Sequence, residues 1–256
     1  MSARSGLARA VLASALLTAA LAGAADVHAV LQAQRQRVES ADFQTVGRLV
    51  RVDSGGARTS YGLSIKARGF PGVLRVLVEV TSPSSAREHV LLEMHYGGES
   101  SIRIARPGDR QAATLPFARW SDGPLGPGFA YEDFLEQQYF WPEQTALGEA
   151  KYGARDCDMV KSVPGAADRT HYAEVKTWLD HTIGFPVYAE KTLKGKGAAK
   201  QFTYFDLRHN GGVWSASQVE EKTRGEAGTT LLIIDRGTAT ANLSLSDFSP
   251  EQLTHF

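Results

Sequence analysis

Adjacent carboxylates at Glu132 and Asp133 are, by residue type, the pair in this chain most able to serve as a general acid and base. They open the stretch Tyr131-Glu132-Asp133-Phe134-Leu135-Glu136-Gln137-Gln138-Tyr139, which reads as a short helix. At a helix N-terminus, acidic side chains first complement the backbone dipole, and that is the role expected of them here. His89 and His95 lie on one strand face if their segment is extended, but a zinc site needs three or four placed ligands, so no metal is expected. Asp180-His181, Asp206 and His209 have the types a hydrolase uses, yet no Gly-x-Ser-x-Gly elbow accompanies them, and they read as loop-end residues. Cys157 is the only cysteine, which rules out an intrachain disulfide or a multi-cysteine zinc site; it reads as a small buried filler on a strand. No catalytic residue and no cofactor emerge from these patterns, so a non-enzymatic protein is expected.

The N-terminus has the features of an export signal. Arg4 and Arg9 precede an apolar run over residues 10–21, closed by Ala22-Gly23-Ala24, which predicts a secretory signal peptide over residues 1–24 and cleavage before Ala25. The apolar run falls short of the roughly 20 residues a membrane span needs. Residues 25–256, about 230 in number, fit one all-β or α+β domain. Lys plus Arg equal Asp plus Glu at 28 each with no block of like charge, so neither nucleic acid nor an anionic membrane surface is an expected partner. In a Gram-negative cell the exported chain would work in the periplasm. The sequon Asn242-Leu243-Ser244 would be silent in a bacterium.

Beyond the signal, short alternating segments make up most of the chain. Residues 27–40 place apolar side chains among Gln, Arg and Glu at helical spacing and predict an amphipathic helix. Strands are predicted over 43–53, 59–68, 73–80, 89–96 and 101–106, separated by Gly-, Pro- and Ser-rich turns. From residue 155 to 214 further alternating segments (171–180, 186–193, 201–208) put apolar residues on one side and charges on the other, as half-buried antiparallel strands do. Asn210-Gly211-Gly212 is a hairpin signal, with 213–224, 229–235 and a closing segment 246–253 beyond it. Between residues 115 and 141, Pro116, Gly123, Pro124, Gly126, Pro127 and Gly128 break the pattern and lead into the short helix, a loop-plus-helix insert of the kind that often forms a lid. In residues 74–80, Leu74, Val76, Val78 and Val80 share one face while Arg75, Leu77 and Glu79 make the other only partly polar.

The runs Phe129-Ala130-Tyr131-Glu132-Asp133-Phe134, residues 152–160, Tyr172-Ala173-Glu174-Val175-Lys176-Thr177-Trp178-Leu179-Asp180 and Thr229-Thr230-Leu231 resemble the outer-membrane lipoprotein-sorting protein family, the LolA/LolB-like proteins. The resemblance runs from about residue 43 to 253 and is most specific at Tyr131-Glu132-Asp133 and at the Tyr172 to Asp180 segment. Leu125-Gly126-Pro127-Gly128 departs from the family's run ahead of Tyr-Glu-Asp. The resemblance implies an α+β, mostly β fold: an incomplete, strongly curved antiparallel β-barrel with helices covering its concave side and an apolar cavity between. It implies a monomeric carrier of lipid or lipidated protein cargo, with an inner-membrane exporter as candidate partner. The lid would be Phe129, Tyr131, Phe134 and Leu135, and the cavity wall would include Leu74, Val76, Val78, Leu92 and Met94. An accessory module that docks on a membrane transporter, and an enzyme on a barrel scaffold, are the competing expectations.

Overall fold

β-branched and aromatic residues in short alternating runs dominate from residue 42 onward, and nearly every such run becomes a strand. The computed structural model describes residues 27–123 and 128–256; the expected signal peptide, residues 1–24, lies outside the described residues. A helix, α1 (Val27–Glu39), comes first. The next strands are β1 (Asp42–Val52), β2 (Arg58–Phe70), β3 (Val73–Ser82), β4 (Glu88–His95), β5 (Ser101–Ala105) and β6 (Ala113–Thr114). After the insert come β7 (Glu143–Tyr152), β8 (Arg155–Val163), β9 (Tyr172–Asp180), β10 (Pro186–Leu193), β11 (Ala199–Asn210), β12 (Val213–Thr223) and β13 (Thr229–Thr238). A short helix, α2 (Pro250–Thr254), lies near the C-terminus.

All thirteen strands form one antiparallel, open and curved sheet in the order β6-β5-β4-β3-β2-β1-β13-β12-β11-β10-β9-β8-β7. Two meanders, β1 to β6 and β7 to β13, are joined by the pairing of β1 with β13. This order has a topological consequence: β6 and β7 are consecutive in the chain yet stand at opposite edges. The connection between them must therefore pass from one edge to the other, and its described parts, residues 115–123 and 128–142, pack Leu115, Trp120, Phe129, Tyr131, Leu135 and Tyr139 into the inner apolar cluster.

Register stacks the apolar positions. Leu74, Val76 and Val78 of β3 lie opposite Met94, Leu92 and Val90 of β4, all on the inner face. The same cluster takes in Leu49, Leu63, Ile65, Ile102, Leu179, Ala189, Phe202 and Leu232 from around the sheet, and Leu31 and Val38 from α1. On the outer face, Leu77, Leu91 and Ala105 are fully buried, because Leu243, Phe248 and Leu253 of the C-terminal segment pack over them. That tail explains why the outer side of residues 74–80 is only partly polar.

Besides the two-residue β6, which the patterning does not predict, two elements differ from expectation. The helix predicted from Tyr131 to Tyr139 is instead a pair of 3-10 turns, Tyr131–Phe134 and Gln137–Phe140, with Leu135 extended between them at φ −107° and ψ 136°. Its side chains are committed to partners on both halves of the sheet, and the backbone obeys those ties rather than an i to i+4 ladder. β7 has no counterpart among the predicted strands: most of its residues are exposed, so it carries no alternating apolar signal and forms by pairing with β8.

Candidate functional site: a clasp over an apolar interior

The nine residues expected as wall and lid converge. Leu74, Val76, Val78, Leu92, Met94, Phe129, Tyr131 and Leu135 are all buried in one cluster, and Phe134 is partly buried against it. Phe129 links the insert to the sheet, its ring 5.0 Å from that of Phe134 and edge-on to Phe202 at 5.7 Å. Val78 and Leu92 have 0% exposure, sealed from solvent on every side. The apolar cavity expected between sheet and helices is instead filled, among the described residues, by side chains of the insert and α1.

Tyr131, Glu132 and Asp133 hold the insert down, each reaching a different part of the sheet. The Tyr131 hydroxyl donates to Glu88 Oε1 of β4 at 2.5 Å, and Glu88 also accepts from Arg106 at 3.0 Å. Glu132 accepts from the Thr170 hydroxyl and the His171 backbone N–H, both at 3.1 Å, and its Oε1 lies 2.9 Å from His171 Nδ1. Asp133 accepts from Lys191 Nζ at 3.0 Å through Oδ1 and from Lys200 Nζ at 2.9 Å through Oδ2; Tyr172 and the Ala130 backbone N–H donate as well. Three consecutive residues thus tie the crossover to β4 on one side and to β9, β10 and β11 on the other. The far end of the insert is tied to α1: Arg37 donates to Glu136 at 2.8 Å and Arg35 to the Tyr139 carbonyl at 2.7 Å.

The expectation that Glu132 and Asp133 serve a helix dipole is corrected by this geometry. They are buried acceptors, and the only trace of a helix-end role is the Asp133 bond to the Ala130 N–H. Nor do they form an acid–base pair, since their oxygens are taken up by different partners.

Burial alone would raise the Asp133 pKa, but Lys191, Lys200 and the Tyr172 hydrogen bond outweigh it and hold the carboxyl well below its usual range. Burial pulls the Lys200 pKa down, and the nearby Asp133 more than reverses this. A folded carboxyl with a depressed pKa contributes stability that is present above the unfolded pKa, about 3.9, and is lost as pH falls toward the folded value. Unfolding free energy should therefore hold its clasp contribution through neutral pH and fall below about pH 4. Asp133→Asn should flatten that acid limb in urea titrations across pH; an unchanged limb would contradict the assignment. Burial and Glu88 push the Tyr131 hydroxyl pKa up, so it stays a protonated donor. Tyr131→Phe leaves Glu88 short of one partner and should cost about 1–3 kcal/mol in chemical denaturation.

Elsewhere the residues weighed as chemistry are dispersed. Asp180 is occupied by Arg155 at 2.6 Å and by the turn N–H groups of Thr182 and Ile183. His181 lies 3.0 Å from Asp158, Asp206 binds Arg208 and Ser217, and His209 packs on Trp214. His89 stacks on Phe256 while His95 is exposed. Among the described residues no group of three or more His, Cys, Asp and Glu is arranged to hold a metal ion. Cys157 is buried on β8.

Sequence reasoning missed Lys191, Lys200, Tyr172, His171 and Glu88. A signal for the lysines existed: Val187, Ala189 and Lys191 alternate, as do Lys200, Phe202 and Tyr204, so each lysine occupies an inward slot otherwise apolar or aromatic.

A family model described as "-like: Uncharacterized protein" matches residues 73–255, most of the chain, and the chain belongs to that family. No curated protein matches. Among solved structures, the fold is shared with a domain from Vibrio parahaemolyticus described as an outer membrane lipoprotein-sorting protein domain, at 18% identity and TM-score 0.78, covering 89% of this chain and 99% of that one. A DUF1329 family protein from Desulfovibrio piger matches at 14% identity and TM-score 0.79, and a LolA superfamily protein from Nitrosomonas europaea at 16% and 0.68, with the same coverage. The fold is therefore LolA-like. Among the described residues no helix is long and apolar enough to cross a membrane.

Proposed function

We propose that the chain is exported by cleavage after residue 24 and that residues 25–256 act in the periplasm as one non-enzymatic, monomeric domain that carries lipid or lipidated protein toward the outer membrane. An inner-membrane exporter is the natural donor. The observation that carries this reading is the contrast between what the insert covers and how it is fastened. It covers an apolar face that runs across the sheet, and its fastenings are chiefly polar, through Tyr131, Glu132 and Asp133. An acyl chain of roughly 14 to 16 carbons offers on the order of 11–13 kcal/mol gross at about 0.8 kcal/mol per methylene, enough to replace the apolar contacts of a few displaced side chains. The LolA-like fold supports the same reading.

The filled interior favours a second reading, a module that docks on a transporter and carries nothing. Native mass spectrometry of the mature protein, isolated from its own periplasm without detergent and then subjected to organic extraction, separates the two. A stoichiometric lipid or lipopeptide is expected for the carrier; a clean apo mass with no uptake of added lysolipid contradicts it.

A further inference from the structure

Lys191 and Lys200 are directly opposed in the β10–β11 register, on the inner face. Like charges facing one another across a strand pair repel, and burial sharpens the repulsion, with the two side chains only 6% and 8% exposed. The arrangement is held by one bridging carboxylate: Asp133 gives one oxygen to each ammonium. That carboxylate belongs to the insert and leaves with it. Glu221 is the sheet's own nearby acid and accepts from Thr223; the Lys200 ammonium also donates to the Gly128 carbonyl, and Tyr172 lies under Lys191. Lifting the insert removes Asp133, Glu132 and the Gly128 carbonyl together, and leaves two ammonium groups facing one sheet carboxylate. The place between them is then open to water or to an anion able to accept from both. The site borders the apolar cluster at Phe202, whose ring lies 4.5 Å from Lys191 Nζ, so the charge and the apolar room are adjacent, as the two parts of an amphiphile are.

We propose that Lys191 and Lys200 form the headgroup site of the carrier, binding the phosphoryl or carboxylate group of an anionic lipid in the place that Asp133 fills when the insert is closed. The inference rests on the carrier reading, whose apolar face would hold the acyl chain. Closed, the Asp133 carboxylate bridges the lysines; open, the cargo's anion does so, and release is the reverse exchange. Either oxyanion can accept from both ammonium groups at once.

The test measures binding of lysophosphatidic acid and of monoacylglycerol with the same acyl chain to the mature protein, with inorganic phosphate as competitor. Wild type should bind the phosphorylated lipid more tightly. Asp133→Asn frees the lysines and should widen the ratio of the two affinities by roughly tenfold, the scale of one charge-assisted hydrogen bond. Adding Lys191→Met and Lys200→Met should return the ratio to near one while monoacylglycerol uptake persists, which also shows that the triple variant is folded. If the triple variant does not fold, Asp133→Asn alone decides, by widening the ratio or failing to. An unchanged ratio with both lipids still bound overturns the headgroup site and leaves the carrier reading standing. Uptake of neither lipid by folded protein overturns both. Displacement of the phosphorylated lipid's advantage by low inorganic phosphate, bound equally well without a lipid, marks a free-anion site and also overturns the proposal.

Discussion

Asp133→Ala is expected to lower the stability of the protein by roughly 3–5 kcal/mol, the scale found when one member of a buried ion pair is removed. The cost comes less from the attraction lost than from what remains: two opposed ammonium groups, nearly enclosed, with no carboxylate between them. The same reasoning gives the rescue. Asp133→Ala combined with Lys191→Met and Lys200→Met removes the stranded charges, and apolar replacement of a whole buried ionic group is often neutral or better. Urea unfolding should show a large drop for the single variant and recovery of at least half of it in the triple variant. A single variant within about 1 kcal/mol of wild type would show that water reaches the lysines and that the clasp is not a buried charge cluster.

Gly128→Ala is the second large effect. Gly128, within the insert, has φ +123°, where an alanine is strained, and a Cβ there would collide with the Thr230 hydroxyl and lie 3.2 Å from Glu221 Oε2. Its carbonyl also accepts from Lys200 at 2.5 Å, so the residue cannot move aside without loosening the clasp. A cost of at least about 2 kcal/mol is expected from backbone strain and collision together. Thr230→Ala in the same chain should return only the collision part. Full recovery in the double variant would mean that the backbone conformation at Gly128 carries no strain.

The strands of the sheet were legible because each half-buried strand alternates with period two. Residues 73–80 and 186–193 show this plainly, and their observed bounds, β3 and β10, lie within two residues of expectation. The insert was legible as a break in pattern, from its prolines and glycines, but its conformation was not. Tyr131 to Tyr139 has helical apolar spacing, yet the ties of Tyr131, Glu132 and Asp133 to β4, β9, β10 and β11 override it, and such ties are tertiary facts. β7 was hidden for the opposite reason: an edge strand exposed along most of its length needs no apolar alternation. The inward apolar positions could be read residue by residue, and Leu74, Val76, Val78, Leu92 and Met94 share one buried cluster with Phe129, Tyr131 and Leu135. Alternation marks each lysine as inward-facing, but their opposition to one another depends on the β10–β11 register, which the sequence does not specify.

The proposed cycle requires the insert to leave its seat while the sheet stays intact. In the seated state the polar ties are short and Val78 and Leu92 are sealed, so an acyl chain gains the inner face by displacing side chains that cover it, among them Phe129, Phe134 and Leu135 of the insert. The sheet ladders β2–β3–β4 bury the inner apolar side chains and have no reason to open with it.

Hydrogen exchange read by mass spectrometry, with and without a stoichiometric lysophospholipid, tests this most directly. Backbone amides of residues 129–139 should lose protection when lipid binds, while those of residues 73–95 keep theirs. Lipid bound with the insert as protected as before, or protection lost across the strands together with the insert, would contradict the claim that this crossover is the cover of a lipid site.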